Sequence, residues 1–202
     1  MDLPLKRLRG VKIGLVITGS HCTVGEVIPE IKHLIDEGAE IIPIFSYTTD
    51  TQDNRFYQVK DLKKTITDLT GHDIINSIVD AEPIGPQKLL DIVVVAPATG
   101  NTIAKMANGI TDTPALMAIK AHLRNQRPVV IAISTNDALG VNARNIGMLL
   151  NMKNIYFVPF RQDNPYEKAN SVVACMNLVT DTVIHALQGR QIQPLLLGPM
   201  VS

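Results

Sequence analysis

Residues 92–102 read Ile92-Val93-Val94-Val95-Ala96-Pro97-Ala98-Thr99-Gly100-Asn101-Thr102. The first five are apolar at every position, so neither side is set aside for water. A strand of that kind is buried on both faces, as in a parallel sheet covered by helices. The sequence then changes to hydroxyl, glycine and amide residues and runs into Ile103, Met106 and Ala107 at helical spacing. Thr99 or Asn101 is the expected start of a short helix that ends near Gly109.

Four more short apolar runs, at 11–17, 40–45, 129–133 and 155–158, have the same character. Pro43 weakens the second, because proline removes one ladder donor. Helical patterns lie between the runs. Thr23-Val24-Gly25-Glu26 reads as a capping box ahead of Val27, Ile28, Ile31, Leu34 and Ile35, with Gly38 as the stop and a kink expected at Pro29. Asp112 or Thr113 caps the next helix, with Pro114 in its first turn. A last helix is expected from Ser171 to Gln188. Within 50–90, Phe56, Val59, Leu62, Ile66 and Leu69 suit one helix ending at Gly71, and Ile74, Ile75, Ile78 and Val79 suit either a second helix or a short strand. Alternating strands and helices predict an α/β, doubly wound, mostly parallel sheet in a single domain over residues 1–202.

Composition narrows the function. The chain has 202 residues, 46% hydrophobic and 19% charged, which is globular and long enough for a full core. Lys+Arg and Asp+Glu are 19 each. With no basic excess to neutralise phosphates, nucleic acid is not an expected partner. Near-zero charge is compatible with a homo-oligomer. Cys22 and Cys175 cannot form a disulfide framework, the opening stretch has no leader-like apolar region, and no run reaches the roughly 18 apolar residues of a membrane span. A cytoplasmic location is expected. His33, His72, His122 and His185 show no metal-ligand spacing, so no metal is expected.

Open parallel sheets bind ligands beyond the carboxyl ends of their strands. Those ends carry Thr18-Gly19-Ser20-His21-Cys22, Ser46-Tyr47-Thr48, Ala98 to Thr102, Ser134-Thr135-Asn136 and Phe160-Arg161. Any one set of hydroxyls is explained by helix capping. Their recurrence at one rim points to an anionic ligand held by helix N-termini. Gly100 permits a close main-chain approach, and Thr99, Asn101 and Thr102 add donors. No G-x-G-x-x-G follows the first strand and no Lys completes a P-loop, so a mononucleotide such as FMN or a small dicarboxylate is the better fit. His21 and Cys22 are the candidate catalytic side chains, as acid, base or donor and as nucleophile. Arg144 and Arg161 are candidate carboxylate clamps.

Pro97 to Asp112, with Asn101-Thr102, Lys105, Asn108-Gly109 and Asp112, resembles the Pro-Ala-Ser-Ala-Asn-Thr region of the homo-oligomeric flavin-containing cysteine decarboxylase superfamily. The resemblance implies a Rossmann-like, three-layer flavoprotein fold with FMN held by Thr18, Gly19, Ser20, Ser46, Thr48, Ala98 to Thr102 and Ser134 to Asn136, in trimers or multiples of three. The apolar tail 194–200 is expected at a contact between copies. Two features depart from the decarboxylases. Residues 81–86 hold no His, and Ser134-Thr135-Asn136-Asp137-Ala138-Leu139-Gly140 stands where those enzymes have Pro-Ala-Met-Asn. These departures, with Ser20 to Thr23 and Tyr156 to Phe160, are similar to one branch, the B subunits of the dipicolinate-forming synthases. That likeness implies an oxidoreductase subunit working with an A subunit in the mother cell of a sporulating bacterium. The reaction it implies is oxidation of a dihydrodipicolinate-type precursor, with the hydride acceptor left between flavin here and NAD(P) on the partner. An FMN-dependent decarboxylase and a non-catalytic FMN- or anion-binding partner are the alternatives.

Overall fold

A computed structural model describes residues 6–198. Met1 to Leu5 of the opening stretch and Pro199 and Met200 of the apolar tail lie outside the described residues. The five expected strands form at Lys12–Ile17 (β1), Glu40–Phe45 (β2), Ile92–Ala98 (β3), Val129–Thr135 (β4) and Ile155–Phe157 (β5). They run parallel in the order β2-β1-β3-β4-β5. All seven residues of β3 are buried, as its continuous apolar run requires of a central strand.

Among the described residues the α-helices are α1 (His21–Asp36), α2 (Tyr47–Thr51), α3 (Val59–Thr70), α4 (Ile78–Ala81), α5 (Gly100–Ala107), α6 (Pro114–Leu123), α7 (Ala143–Leu150) and α8 (Val179–Leu187). They flank the sheet: α1 packs with α8, and α6 packs with α4 and α5. Thr99 and Thr113 cap α5 and α6 as expected, each side chain accepting the N–H three residues on. Among the described residues no helix is long and apolar enough to cross a membrane.

Three local readings are corrected. First, the helix expected from Ser171 begins late. Val172–Ala174 is a strand (β7) that pairs antiparallel with Ser134 and Thr135 of β4 and with Phe160–Gln162 (β6). Its β-branched pair finds a strand partner that helical spacing does not reveal. Second, the capping box does not form. Ser20 is the N-cap of α1, and Thr23 Oγ1 lies 2.8 Å from Ser134 Oγ. Third, α3 ends at Gly71 as expected but starts at Val59, which leaves Phe56 exposed; of the two alternatives for Ile74 to Val79, Ile78 and Val79 enter the short helix α4 and Ile75 makes one bridge to Ile44.

The sheet's margins are closed locally. Pro43 lies in the outer strand β2, where its carbonyl accepts the Ile75 N–H at 2.9 Å and the Phe45 N–H reaches the Ile75 carbonyl at 2.9 Å. At β5, the Gln191 side chain accepts the Phe157 N–H at 2.8 Å and donates to the Phe157 carbonyl at 2.7 Å. At β6, the apolar tail folds back. The Phe160 N–H donates to Leu195 and the Leu197 N–H to Phe160, both at 3.0 Å, leaving Leu196 exposed.

Candidate functional site

The strand order reverses direction between β1 and β3, and the crevice at such a switch point is where open α/β sheets bind ligands. Thr18 spans that point. Its hydroxyl donates to the Pro97 carbonyl at 2.7 Å and accepts the Thr99 N–H at 3.0 Å, tying the end of β1 to the end of β3. Beside it opens a cleft of about 420 Å³.

The cleft gathers three of the expected loops. Thr18 and Gly19 come from the end of β1, Ser46 and Thr48 from the end of β2, and Thr99, Asn101 and Thr102 from the start of α5. Ser46 is occupied as the N-cap of α2, and its hydroxyl meets Thr49 Oγ1 at 3.1 Å. At α5, the Thr99 side chain takes the Thr102 N–H and its carbonyl takes the Ile103 N–H. That leaves the N–H groups of Gly100 and Asn101 without an intrahelical acceptor at the positive end of the helix. Lys105, one turn further on, lines the same cleft, with its Nζ 2.6 Å from Asp112 Oδ2. The donor set of free N–H groups, the Thr48 hydroxyl, the Asn101 amide and an ammonium fits a phosphate or carboxylate. The cleft is also of mononucleotide size.

The other expected residues lie elsewhere. Ser20, Thr23 and Ser134 form a hydroxyl triangle, with Ser134 Oγ 2.7 Å from Ser20 and 2.8 Å from Thr23. Thr135 donates to Asp137 at 2.6 Å, and Asn136 is exposed. Ala98 is buried in β3. Gly100 is required for a reason other than ligand approach: a β-carbon there would stand 2.6 Å from Thr135 Oγ1 and 2.7 Å from both Asn142 Nδ2 and Asp137 Oδ1. His21 faces Tyr57 and Asn54, while Cys22 is exposed with its Sγ 3.7 Å from Thr23 Oγ1. Arg144 is exposed on α7, and the Arg161 guanidinium lies on Cys175, Nη2 to Sγ 2.6 Å. Neither arginine lines the cleft. Tyr47, which lies in the expected segment after β2, Thr113, expected as a cap, and Leu116 do, as do Lys105 and Asp112 of the 97–112 motif, and none of the five is an expected site residue. Among the described residues, no group of three or more His, Cys, Asp or Glu is placed to hold a metal ion. A second groove, of about 450 Å³, runs between α5, α6 and α7 past Met106, Leu123 and Met152, with mostly apolar walls and Lys120 and Arg124 beside them.

Comparison with known proteins matches this arrangement. The model of the flavoprotein family matches residues 3–189. The B subunit of dipicolinate synthase from Bacillus subtilis (strain 168) is 49% identical over 193 residues, covering 96% of each chain. The chain belongs to the flavoprotein family, on the branch of the dipicolinate synthase B subunits. The crystal structure of the dipicolinate synthase B subunit from Bacillus halodurans C superposes on this member of the branch with a TM-score of 0.87 at 47% identity, covering 94% of this chain and 97% of that one. The FMN-dependent cysteine decarboxylase SpaF, at 22% identity and a TM-score of 0.62 over 90% of this chain and 97% of its own, shares the flavoprotein fold. The departures at 81–86 and 134–140 separate this family member from the decarboxylase motifs.

Proposed function

We propose that this chain is the B subunit of a dipicolinate-forming synthase, acting with an A subunit to oxidise a dihydrodipicolinate-type precursor to dipicolinate during sporulation. The observation that carries the reading is the 49% identity to a protein of that name along 96% of both chains. Aromatisation of the dihydropyridine ring removes a hydride and a proton and leaves both carboxylates intact. A protein that handles such a dianion needs donors that remain free, and the start of α5 supplies them.

The same cleft suits FMN. A flavin bound there would supply a two-electron acceptor, the alternative being NAD(P) on the A subunit. The chain's own part is to hold the phosphate with the Asn101 N–H and amide, the Thr48 hydroxyl and Lys105, on a floor fixed by the Thr18–Pro97–Thr99 link. Lys105 and Asp112 are the charged residues lining the cleft, paired with each other, and Tyr47 adds a phenol. The one carboxylate on the cleft's walls is therefore held by a lysine, which favours a division of labour in which the A subunit completes the chemistry. A non-catalytic anion-binding role is the second reading, and a cysteine decarboxylase is disfavoured because residues 81–86 hold no His. A single α/β unit over residues 1–202, assembly of copies in multiples of three, and action in the mother-cell cytoplasm complete the proposal.

The test assays the A subunit, this chain and the mixture for dipicolinate, and records the absorbance spectrum of the purified chain. Full activity of the A subunit on its own refutes a catalytic contribution. Cysteine decarboxylation by this chain alone refutes the reading altogether. A flavin band in the spectrum places the acceptor on this chain.

A further inference from the structure

His21 opens α1, and two groups from the loop between α2 and α3 converge on one of its ring nitrogens. The Asn54 amide has its orientation fixed, because Oδ1 accepts the Phe56 N–H at 2.9 Å and the Tyr57 N–H at 3.2 Å. Its NH2 group is thereby turned to His21 Nδ1, 3.2 Å away. The Tyr57 hydroxyl lies 2.7 Å from the same nitrogen. The Asn54 NH2 group also bonds the Tyr57 hydroxyl, so the phenol oxygen already has a donor and its own proton turns to Nδ1, whose single lone pair faces both groups; the ring proton then sits on Nε2. Burial pushes the Tyr57 phenol up from its usual range, which keeps the donated proton on the oxygen. The two rings also pack edge to face, with centroids 5.5 Å apart, which fixes the imidazole plane. The opposite side of the ring is near the cleft. Cε1, the carbon bonded to both ring nitrogens, lies 3.7 Å from where a β-carbon on Gly19 would stand, and Thr48 Cγ2 lies 3.0 Å from that same point, so the edge that carries Nε2 beyond Cε1 adjoins the rim without lining the cleft. Both Gly19 and Thr48 line the cleft.

We propose that Asn54 and Tyr57 are positioning residues that hold His21 as its neutral Nε2–H tautomer, so that His21 meets a ligand carboxylate at the cleft rim as a hydrogen-bond donor and not as a proton acceptor. The carboxylate's identity rests on the proposed function, whereas the tautomer does not. Two loop residues with no catalytic chemistry of their own thus decide which of its two roles His21 takes. Its Nδ1 is occupied by donors from the protein, and its Nε2–H is left for the ligand.

The test has a spectroscopic arm and a binding arm. Long-range proton–nitrogen correlation on the 15N-labelled full chain reads the His21 tautomer directly, with the signal assigned by its loss in His21→Gln. The wild type is expected to show a protonated Nε2 and a bare Nδ1. Asn54→Asp keeps the acceptor for the two loop N–H groups but replaces the NH2 with an acceptor, so it should move the proton to Nδ1 without lowering the thermal midpoint. Dipicolinate titrated into the chain, alone and with the A subunit, should bind about tenfold or more weakly to His21→Ala and to Tyr57→Phe/Asn54→Asp, the worth of a hydrogen bond to a charged group. His21→Gln, whose amide can still donate, should retain most of the affinity. A wild-type Nδ1–H overturns the proposal. So does an affinity that does not change when the tautomer flips, or a wild-type chain that binds no dipicolinate in either setting. Binding without turnover in the mixture refutes the synthase function alone and leaves the positioning role standing.

Discussion

Gly100→Ala adds one carbon at the start of α5, and the surroundings set its effect. The new β-carbon would meet Thr135 Oγ1 at 2.6 Å and Asn142 Nδ2 and Asp137 Oδ1 at 2.7 Å, all under the 3.0 Å that real β-carbons respect. None of the three is the loose end of a flexible chain. Thr135 donates to Asp137 at 2.6 Å and Asn142 donates to its other oxygen at 2.7 Å. Asn142 is itself held by buried Asn145 at 2.8 Å. Making room requires the Asp137 carboxylate to leave at least one charge-assisted bond worth about 1.5–3 kcal/mol. Overpacking adds about 1–3 kcal/mol, and the better helix propensity of alanine returns up to about 1 kcal/mol. The net expectation is a loss of about 1.5–6 kcal/mol, or a thermal midpoint lowered by roughly 3–24 °C for a chain of this length. Gly25→Ala is the internal control. Gly25 lies in α1 with nothing within 4 Å of its absent β-carbon. That variant should gain about 0.5–1 kcal/mol. Urea unfolding of both variants reads the difference directly. Equal midpoints would refute the claim that Gly100 is fixed by the Asp137 network.

Three further outcomes follow from the site and the core. Burial, with a smaller contribution from Arg127, pushes buried His122 down to about 4. Protonation then favours the unfolded chain, so about 3 kcal/mol of stability present above pH 6.5 is lost as pH falls towards 4. His122→Phe should flatten that part of the pH–stability curve, as unfolding measured from pH 7 to 4 would reveal. Asp112→Asn frees Lys105 and should tighten FMN or phosphate binding by up to about fivefold, the scale of an exposed ion pair, while Lys105→Ala weakens it in the same titration. Cys22→Ser changes an exposed thiol and should hold dipicolinate formation with the A subunit within about twofold of wild type. His21→Ala should lose much of that activity, and the reverse ranking would point to covalent catalysis.

The parallel sheet was legible because its strands are apolar on both faces, a pattern that only burial between two helical layers satisfies. The caps at Thr99 and Thr113 were legible because the hydroxyl sits one step before a helical pattern. β7 was not. Val172, Cys175, Met176, Val179 and Val183 fit helical spacing, and what makes Val172–Ala174 extended is its pairing with the end of β4, almost forty positions away in sequence and invisible to local periodicity. The same limit applies at the site. Thr18, Ser46 and the 99–102 turn were found because they follow strands. Asn54 and Tyr57 sit in a loop with no motif and reach His21 only through the fold. Thr23 looked like a cap because its neighbours have the capping spacing. Its hydroxyl was claimed instead by Ser134, a competition that sequence does not display.

The three closed margins of the sheet restrict how this chain can recruit others. An open β-edge is a standing invitation to another strand. Here Ile75 lies along β2, the Gln191 amide imitates a neighbouring strand on β5, and Leu195 to Leu197 occupy β6. A visiting backbone, whether from another copy or from the A subunit, would have to evict one of these to pair along the full strand. Recruitment by continuing the ladder is therefore disfavoured, and contact is left to side chains on helices and loops. Such a contact need not break the Thr18 bonds that join β1 to β3 at the switch point.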